Sequence, residues 1–118
     1  MSNAPKRLLI VEDHDDTRKV YVLVAKRCGY AVDEAASVSE ALAKLDGQSR
    51  VILDLRLPDG DGADVLQAIR ALHKPASVAV ISAEHHGSMV EAALRLHPDA
   101  YFKKPVDGEQ LVEWLSQP

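Results

Sequence analysis

The run Val51-Ile52-Leu53-Asp54-Leu55-Arg56-Leu57-Pro58-Asp59-Gly60-Asp61-Gly62 restricts the folds open to this chain more than any other stretch. It begins apolar without alternation, as a strand covered on both faces does, and then reaches a carboxylate and a loop punctuated by Pro and Gly. Three other apolar runs end in the same manner. Leu8-Leu9-Ile10-Val11 runs into Glu12-Asp13, Val78-Ala79-Val80-Ile81 into Ser82, and Tyr101-Phe102 into Lys103-Lys104. If the strands are parallel, these polar ends collect on one edge of a sheet, and open α/β sheets bind their ligands beyond the carboxyl ends of their strands.

Helical patterns lie between the runs. Asp13-His14-Asp15-Asp16 supplies helix-start residues, Val20, Leu23 and Val24 follow at helical spacing, and Gly29 is the stop. Tyr30 to Ala35 reads as a polar-interrupted edge strand. Ser37-Val38-Ser39-Glu40 has the form of a capping box, with Ala41, Leu42 and Leu45 on one face of a short helix. Asp61 is placed to cap a helix with an apolar side of Val65, Leu66, Ile69 and Leu72. Ser88-Met89-Val90-Glu91 is a second box-like pattern, leading to Ala93 and Leu94 and closed by His97-Pro98. Asp107 and Gln110 frame a last helix carrying Leu111, Trp114 and Leu115. Strand and helix alternate five times, with crossovers long enough for right-handed βαβ units. The expected fold class is therefore α/β, a doubly wound five-stranded parallel sheet with helices on both faces.

At 118 residues the chain makes one domain, expected over residues 7–118, with 1–6 as a fraying N-terminus or tag remnant. No apolar run approaches the ~20 residues of a membrane span, and no apolar leader precedes the first strand, so a cytoplasmic location is expected. The single cysteine, Cys28, fits a reducing compartment as an ordinary small side chain. A net charge of −4 and no basic run argue against direct nucleic-acid binding, which rests on Lys and Arg neutralising phosphates. Partners are expected to be proteins.

The ordered set Glu12-Asp13, Asp54 with Leu57-Pro58 and Asp61-Gly62, Ser82-Ala83 and Lys104-Pro105 resembles the receiver domain of two-component response regulators, over Leu8 to about Leu115. The resemblance implies the flavodoxin-like strand order 2-1-3-4-5. Aspartate can attack phosphorus to give an acyl phosphate, and phosphoryl transfer needs charge neutralisation and positioning more than other help. Asp54 is then the phosphoacceptor, with Lys104 as the fixed ammonium. Converging carboxylates call for a cation, and oxygen-only ligands with room for water suit Mg²⁺. By resemblance Asp13, Asp54 and the backbone carbonyl of Arg56 bind the metal, Glu12 acts through water, and Ser82 bonds a phosphoryl oxygen. Tyr101 is the aromatic that changes rotamer with Ser82, and Lys104-Pro105 is a cis peptide. Arg56 and Glu84 flank the route of hydrolytic water and are expected to gate it as a pair.

The implied function is a phosphorylation-dependent signalling switch. Asp54 takes a phosphoryl group from a histidine kinase or phosphotransfer protein, and a changed surface is read by a downstream protein target or output domain. A homodimer would form through the fourth helix, last strand and last helix. No enzyme activity beyond self-catalysed transfer and autodephosphorylation is expected. The alternatives are a small Mg²⁺-dependent aspartyl-phosphate phosphatase, for which a second acid is missing because position 56 is Arg, and a non-switching interaction module. The sequence departs from the family's commonest pattern at Glu12 (for Asp), Ser82 (for Thr), His97-Pro98 (for Gly-Ala) and in the short segment from Leu45 to Val51.

Overall fold

The computed structural model describes residues 5–83 and 87–118. In chain order the elements are β1 (Arg7–Val11), α1 (Asp15–Arg27), β2 (Ala31–Ala35), α2 (Val38–Ala43), β3 (Arg50–Asp54), β4 (Arg56–Leu57), β5 (Gly60–Asp61), α3 (Ala63–Ala71), β6 (Ser77–Ser82), α4 (Ser88–Leu94), β7 (Ala100–Lys103) and α5 (Gly108–Leu115). Five strands form one sheet in the order β2-β1-β3-β6-β7, with every neighbouring pair parallel. With the β4–β5 hairpin left aside, this is the expected order 2-1-3-4-5. Lys6, grouped by sequence with the fraying N-terminus, already lends its carbonyl to the Ala31 N–H at 3.0 Å.

The pleat divides the apolar runs between two cores. Leu9, Val11, Val51, Leu53, Val78 and Val80 face α2, α3 and α4, where Ala41, Leu45, Leu66, Ile69, Val90 and Ala93 cover them. Leu8, Ile10, Ile52, Ala79 and Ile81 face α1 and α5, under Tyr21, Ala25, Leu111, Trp114 and Leu115. Both faces of β1, β3 and β6 are thus dry, which is why these runs show no alternation. The last turn of α5 is tied to the sheet from below. Arg50, buried at the start of β3, donates to the Trp114 carbonyl at 2.8 Å and to that of Gln117, and Tyr30 Oη donates to the Leu115 carbonyl at 2.7 Å. These bonds satisfy carbonyls that a helix end leaves open.

Several helix faces differ from the sequence expectation. Val20 and Leu23 are 58% and 54% exposed, and Leu42, Leu72 and Leu94 are exposed as well. Tyr21 and Ala25 bury α1, and Val38 joins Ala41 beneath α2. These helices carry more apolar positions than one stripe against a sheet can cover, so part of each apolar set is left exposed. Ser88 is not the N-cap of α4; that place belongs to Gly87, with φ 122° and no side-chain cap bond. Asp61 does cap α3, one residue early, accepting from the Ala63 N–H at 2.8 Å while Gly62 holds the N-cap position. The Ser37 hydroxyl accepts from the Glu40 N–H as expected, and the Glu40 carboxylate reaches back to the Ala36 N–H at 3.0 Å.

Both departures from the family pattern in the connections have local solutions. His97 adopts φ 52°, a left-handed conformation that glycine takes without strain, and Arg70 binds the carbonyls of Leu96 and His97 at 3.2 and 2.8 Å. The short link after α2 runs directly into β3, and the Ser49 N–H already donates to the Arg7 carbonyl of the neighbouring β1 at 2.8 Å.

Candidate functional site

Four of the predicted site residues stand at strand ends, because each strand is largely apolar up to that point and the next residue emerges at the rim. Glu12 follows β1, Asp54 ends β3, Ser82 ends β6 and Lys104 follows β7. These strands are sheet neighbours, so residues up to 92 positions apart in sequence come into contact.

The Lys104 ammonium is the hub. It donates to Glu12 Oε1 at 2.7 Å and to Asp54 Oδ2 at 2.8 Å. Asp54 Oδ1 accepts the Arg56 N–H at 3.2 Å, which fixes the carboxylate from its other side. Glu12 is fully buried, Asp54 and Ser82 nearly so, and Asp13 is exposed. Burial works against the charge of Lys104, but hydrogen bonds to Asp54 and Glu12 outweigh it and hold the ammonium above its ordinary pKa. Burial, reinforced by the neighbouring Asp54 carboxylate and opposed by Lys104, pushes the Glu12 carboxyl from 4.5 up to about 7.

Glu12, Asp13 and Asp54 each present a carboxylate oxygen, and these oxygens lie within 4.8 Å of one another. Glu12 Oε2 is buried without a hydrogen-bond partner among the described residues. A donor set of carboxylate oxygens alone, with one member open to solvent and one buried oxygen unsatisfied, fits a hard divalent cation that keeps part of its water shell. Beside this trio lies a cavity of about 230 Å³ lined by Asp13, Asp54, Arg56, Ser82, Ala83 and Lys104.

The loop after Asp54 is more ordered than its Pro and Gly suggested. β4 and β5 pair as a short antiparallel hairpin, Arg56 opposite Asp61 and Leu57 opposite Gly60, turning through Pro58-Asp59. That dipeptide followed by Gly is a turn signal in the sequence. The Asp59 carboxylate accepts the Val38 and Ser39 N–H groups at 2.8 and 3.0 Å, fastening the hairpin to the start of α2. At its far end Gly62 passes so close to Asp54 that an added Cβ would lie 2.1 Å from the Asp54 carbonyl oxygen.

The Lys104-Pro105 peptide is cis. Tyr101, in β7 opposite Val80, is half-buried against the core under α2–α4. The Arg56 side chain is exposed at the cavity rim, and Glu84, its expected partner, lies outside the described residues, as do His85 and His86. Sequence reading missed Arg18, whose guanidinium donates to the Glu12 carbonyl at 2.9 Å; a cation one turn into the helix after the paired acids was the available signal. No helix among the described residues is long and apolar enough to cross a membrane.

Comparison with known proteins agrees with this geometry. The model of the response regulator receiver domain matches residues 8–116. The acid tolerance regulatory protein ActR of Rhizobium meliloti is 32% identical over 114 residues, covering 95% of this chain and 59% of the relative. The chemotaxis protein CheY of Treponema pallidum is 32% identical over 120 residues, covering 98% and 83%. Among solved structures, a CheY-like receiver domain protein from Methanospirillum hungatei superposes with a TM-score of 0.87 at 27% identity, covering 95% of this chain and 91% of the other. The chain thus spans about three fifths of the length of regulators such as ActR. A family match across nearly its whole length, on a sheet with the strand order expected of that family, means that this chain belongs to the response regulator receiver domain family.

Proposed function

We propose that the chain is a phosphorylation-dependent switch in which Asp54 accepts a phosphoryl group from a phosphohistidine of a histidine kinase or phosphotransfer protein. The observation that carries this reading is the Lys104 ammonium, held at 2.7 Å from Glu12 and 2.8 Å from Asp54 at the wall of a cavity large enough for a phosphoryl group. An Asp54 oxygen forms the new bond to phosphorus as the donor's nitrogen–phosphorus bond breaks, and the imidazole keeps the electron pair. Lys104, already facing Asp54, pairs with the charge that arrives on the phosphoryl oxygens. Ser82, buried at the next strand end, supports the reading as a hydroxyl able to bond one of those oxygens.

Glu12, Asp13, Asp54 and the backbone carbonyl of Arg56 would hold Mg²⁺, which when bound neutralises charge on the equatorial oxygens. Hydrolysis by water returns the Asp54 carboxylate and releases phosphate, so the chain acts as a switch with a self-limited lifetime and not as a turnover enzyme. The added charge draws Ser82 inward, Tyr101 follows, and the surface of α4, β7 and α5 changes for a downstream protein target or output domain. Incubating the protein with a small-molecule phosphodonor, with and without Mg²⁺, and measuring intact mass tests the reading. One phosphoryl adduct that needs Mg²⁺ and is absent from Asp54→Asn is expected. An adduct of equal yield on Asp54→Asn would refute it.

A further inference from the structure

We propose that Arg18 is a positioning residue for the acidic half of the site, acting through the single peptide that joins Glu12 to Asp13. The proposal rests on the reading of Glu12, Asp13 and Asp54 as a cation site.

β1 ends at Val11 and α1 begins at Asp15, so Glu12, Asp13 and His14 form a link that belongs to neither element. The Glu12 N–H is still held by the sheet, donating to the Ala35 carbonyl at 3.0 Å. Its carbonyl has left the ladder. Arg18 Nη1 takes it at 2.9 Å. That carbonyl belongs to the same planar unit as the Asp13 N–H, so the bond sets the orientation of the peptide between the two acids. The Glu12 side chain points inward to Lys104 while Asp13 is exposed, and only a fixed peptide keeps both carboxylates converging on Asp54.

The guanidinium is itself held from two other directions. Nη2 donates to Asp15 at 2.6 Å and Nε to Glu34 at 3.0 Å, one partner on its own helix and the other on β2. The Arg18 side chain is only 15% exposed. A planar fork with three fixed acceptors is a rigid strut, whereas an ammonium on a flexible stem is a point charge without the fork geometry that fits these three acceptors at once. The Arg18 N–H also closes the first turn of α1 on the His14 carbonyl at 2.9 Å, so the strut and the helix start share one residue.

Charge alone predicts the opposite effect from positioning, which makes the idea testable. A cation near a divalent-ion site repels the ion, so deleting Arg18 as a mere charge would tighten Mg²⁺ binding. Deleting it as a strut should weaken binding, by about ten-fold on the scale seen when groups that orient metal ligands are removed. Mg²⁺ dissociation constants are measured by calorimetry for wild type, Arg18→Ala, Arg18→Lys and Asp13→Asn, with circular dichroism confirming the fold and urea midpoints taken without Mg²⁺. Both Arg18 variants should bind Mg²⁺ more weakly than wild type, Arg18→Ala more so than Arg18→Lys. Arg18→Lys keeps the charge and decides the matter if Arg18→Ala does not fold. A folded Arg18 variant that binds Mg²⁺ as tightly as wild type, or more tightly, overturns the proposal, even if its urea midpoint falls. Equal binding by wild type and Asp13→Asn would instead overturn the cation-site reading, and this inference with it.

Discussion

Replacing Gly62 by alanine perturbs the site through the backbone alone. Gly62 has an ordinary right-handed conformation, φ −57° and ψ −25°, so backbone freedom is not what requires glycine there. The requirement is space. A Cβ at this position would lie 2.1 Å from the Asp54 carbonyl oxygen, 2.9 Å from Leu55 Cα and 3.0 Å from the Asp54 carbonyl carbon. All three atoms are main chain, so no rotamer relieves the clash, and the start of α3 or the end of β3 must retreat by more than an ångström to restore ordinary contact. The 2.8 Å bond from the Gly62 N–H to the Leu55 carbonyl would stretch with that movement. Overpacking of this kind costs about 1–3 kcal/mol. For a domain of this size each kcal/mol lowers Tm by about 4 °C, so Gly62→Ala should melt roughly 4–12 °C below wild type. Because the displaced atoms belong to Asp54, Mg²⁺ affinity should fall as well. Thermal unfolding followed by circular dichroism measures the first effect and calorimetry the second. Gly108→Ala serves as the control, since a Cβ there meets nothing within 4 Å at the start of α5 and alanine is the better helix former. An unchanged Tm in Gly62→Ala would show that the close approach to Asp54 does not constrain this loop.

Two other expectations follow from the same cluster. The folded state raises the Glu12 pKa from 4.5 to about 7, so between those values it binds more protons than the unfolded chain, and the stability of the metal-free protein should fall as pH rises through that window. The groups whose pKa is lowered, such as Asp33, lose their contribution only below the ordinary carboxylate range, and Lys104 loses its own only at alkaline pH, so neither masks the trend. Glu12→Gln should flatten the Tm profile across the window; a slope equal to that of wild type would mean that Glu12 is not its source. Autodephosphorylation tests the gating pair: the Arg56→Ala/Glu84→Ala double variant should lose phosphate from Asp54 several-fold faster than wild type, and equal rates would leave the pair no part in screening water.

The parts of the fold readable in the sequence were those with one physical cause. A strand covered on both faces must be apolar throughout, so Leu8–Val11, Val51–Leu53 and Val78–Ile81 announced themselves, and the first polar residue after each marked the rim. Glu12, Asp54 and Ser82 were found that way. Lys104 was harder, because β7 is a half-buried edge strand, and only the ordered set of sites singled it out. Helix faces were read less well, since Val20, Leu23, Leu42, Leu72 and Leu94 satisfy helical spacing yet remain exposed, and spacing does not say which of two overlapping stripes meets the sheet. Ser88 misled for a related reason: a serine before an acid three residues on suits a cap, but Gly87 takes a backbone conformation closed to it and moves the helix start back by one. Arg18 and Asp59 left signals in the sequence, a cation one turn into α1 and a Pro-Asp-Gly turn, but their bonds next to the site go to backbone groups, and a sequence does not show where a carbonyl or an N–H is left over.

The two bonds of Lys104 also say when the site comes into being. One partner follows the first strand and the other ends β3, and the lysine itself follows the last strand, 92 residues after Glu12. No contiguous fragment ending before Lys104 contains the ammonium, and none beginning after Asp13 contains the paired acids. Any ligand of the assembled cluster therefore binds the complete fold and not its pieces, and its binding energy stabilises the whole domain against unfolding. Under the proposed function this acts as a form of proofreading: a nascent or partly unravelled chain would present Asp54 without Lys104 beside it, and only the finished fold would accept the phosphoryl group.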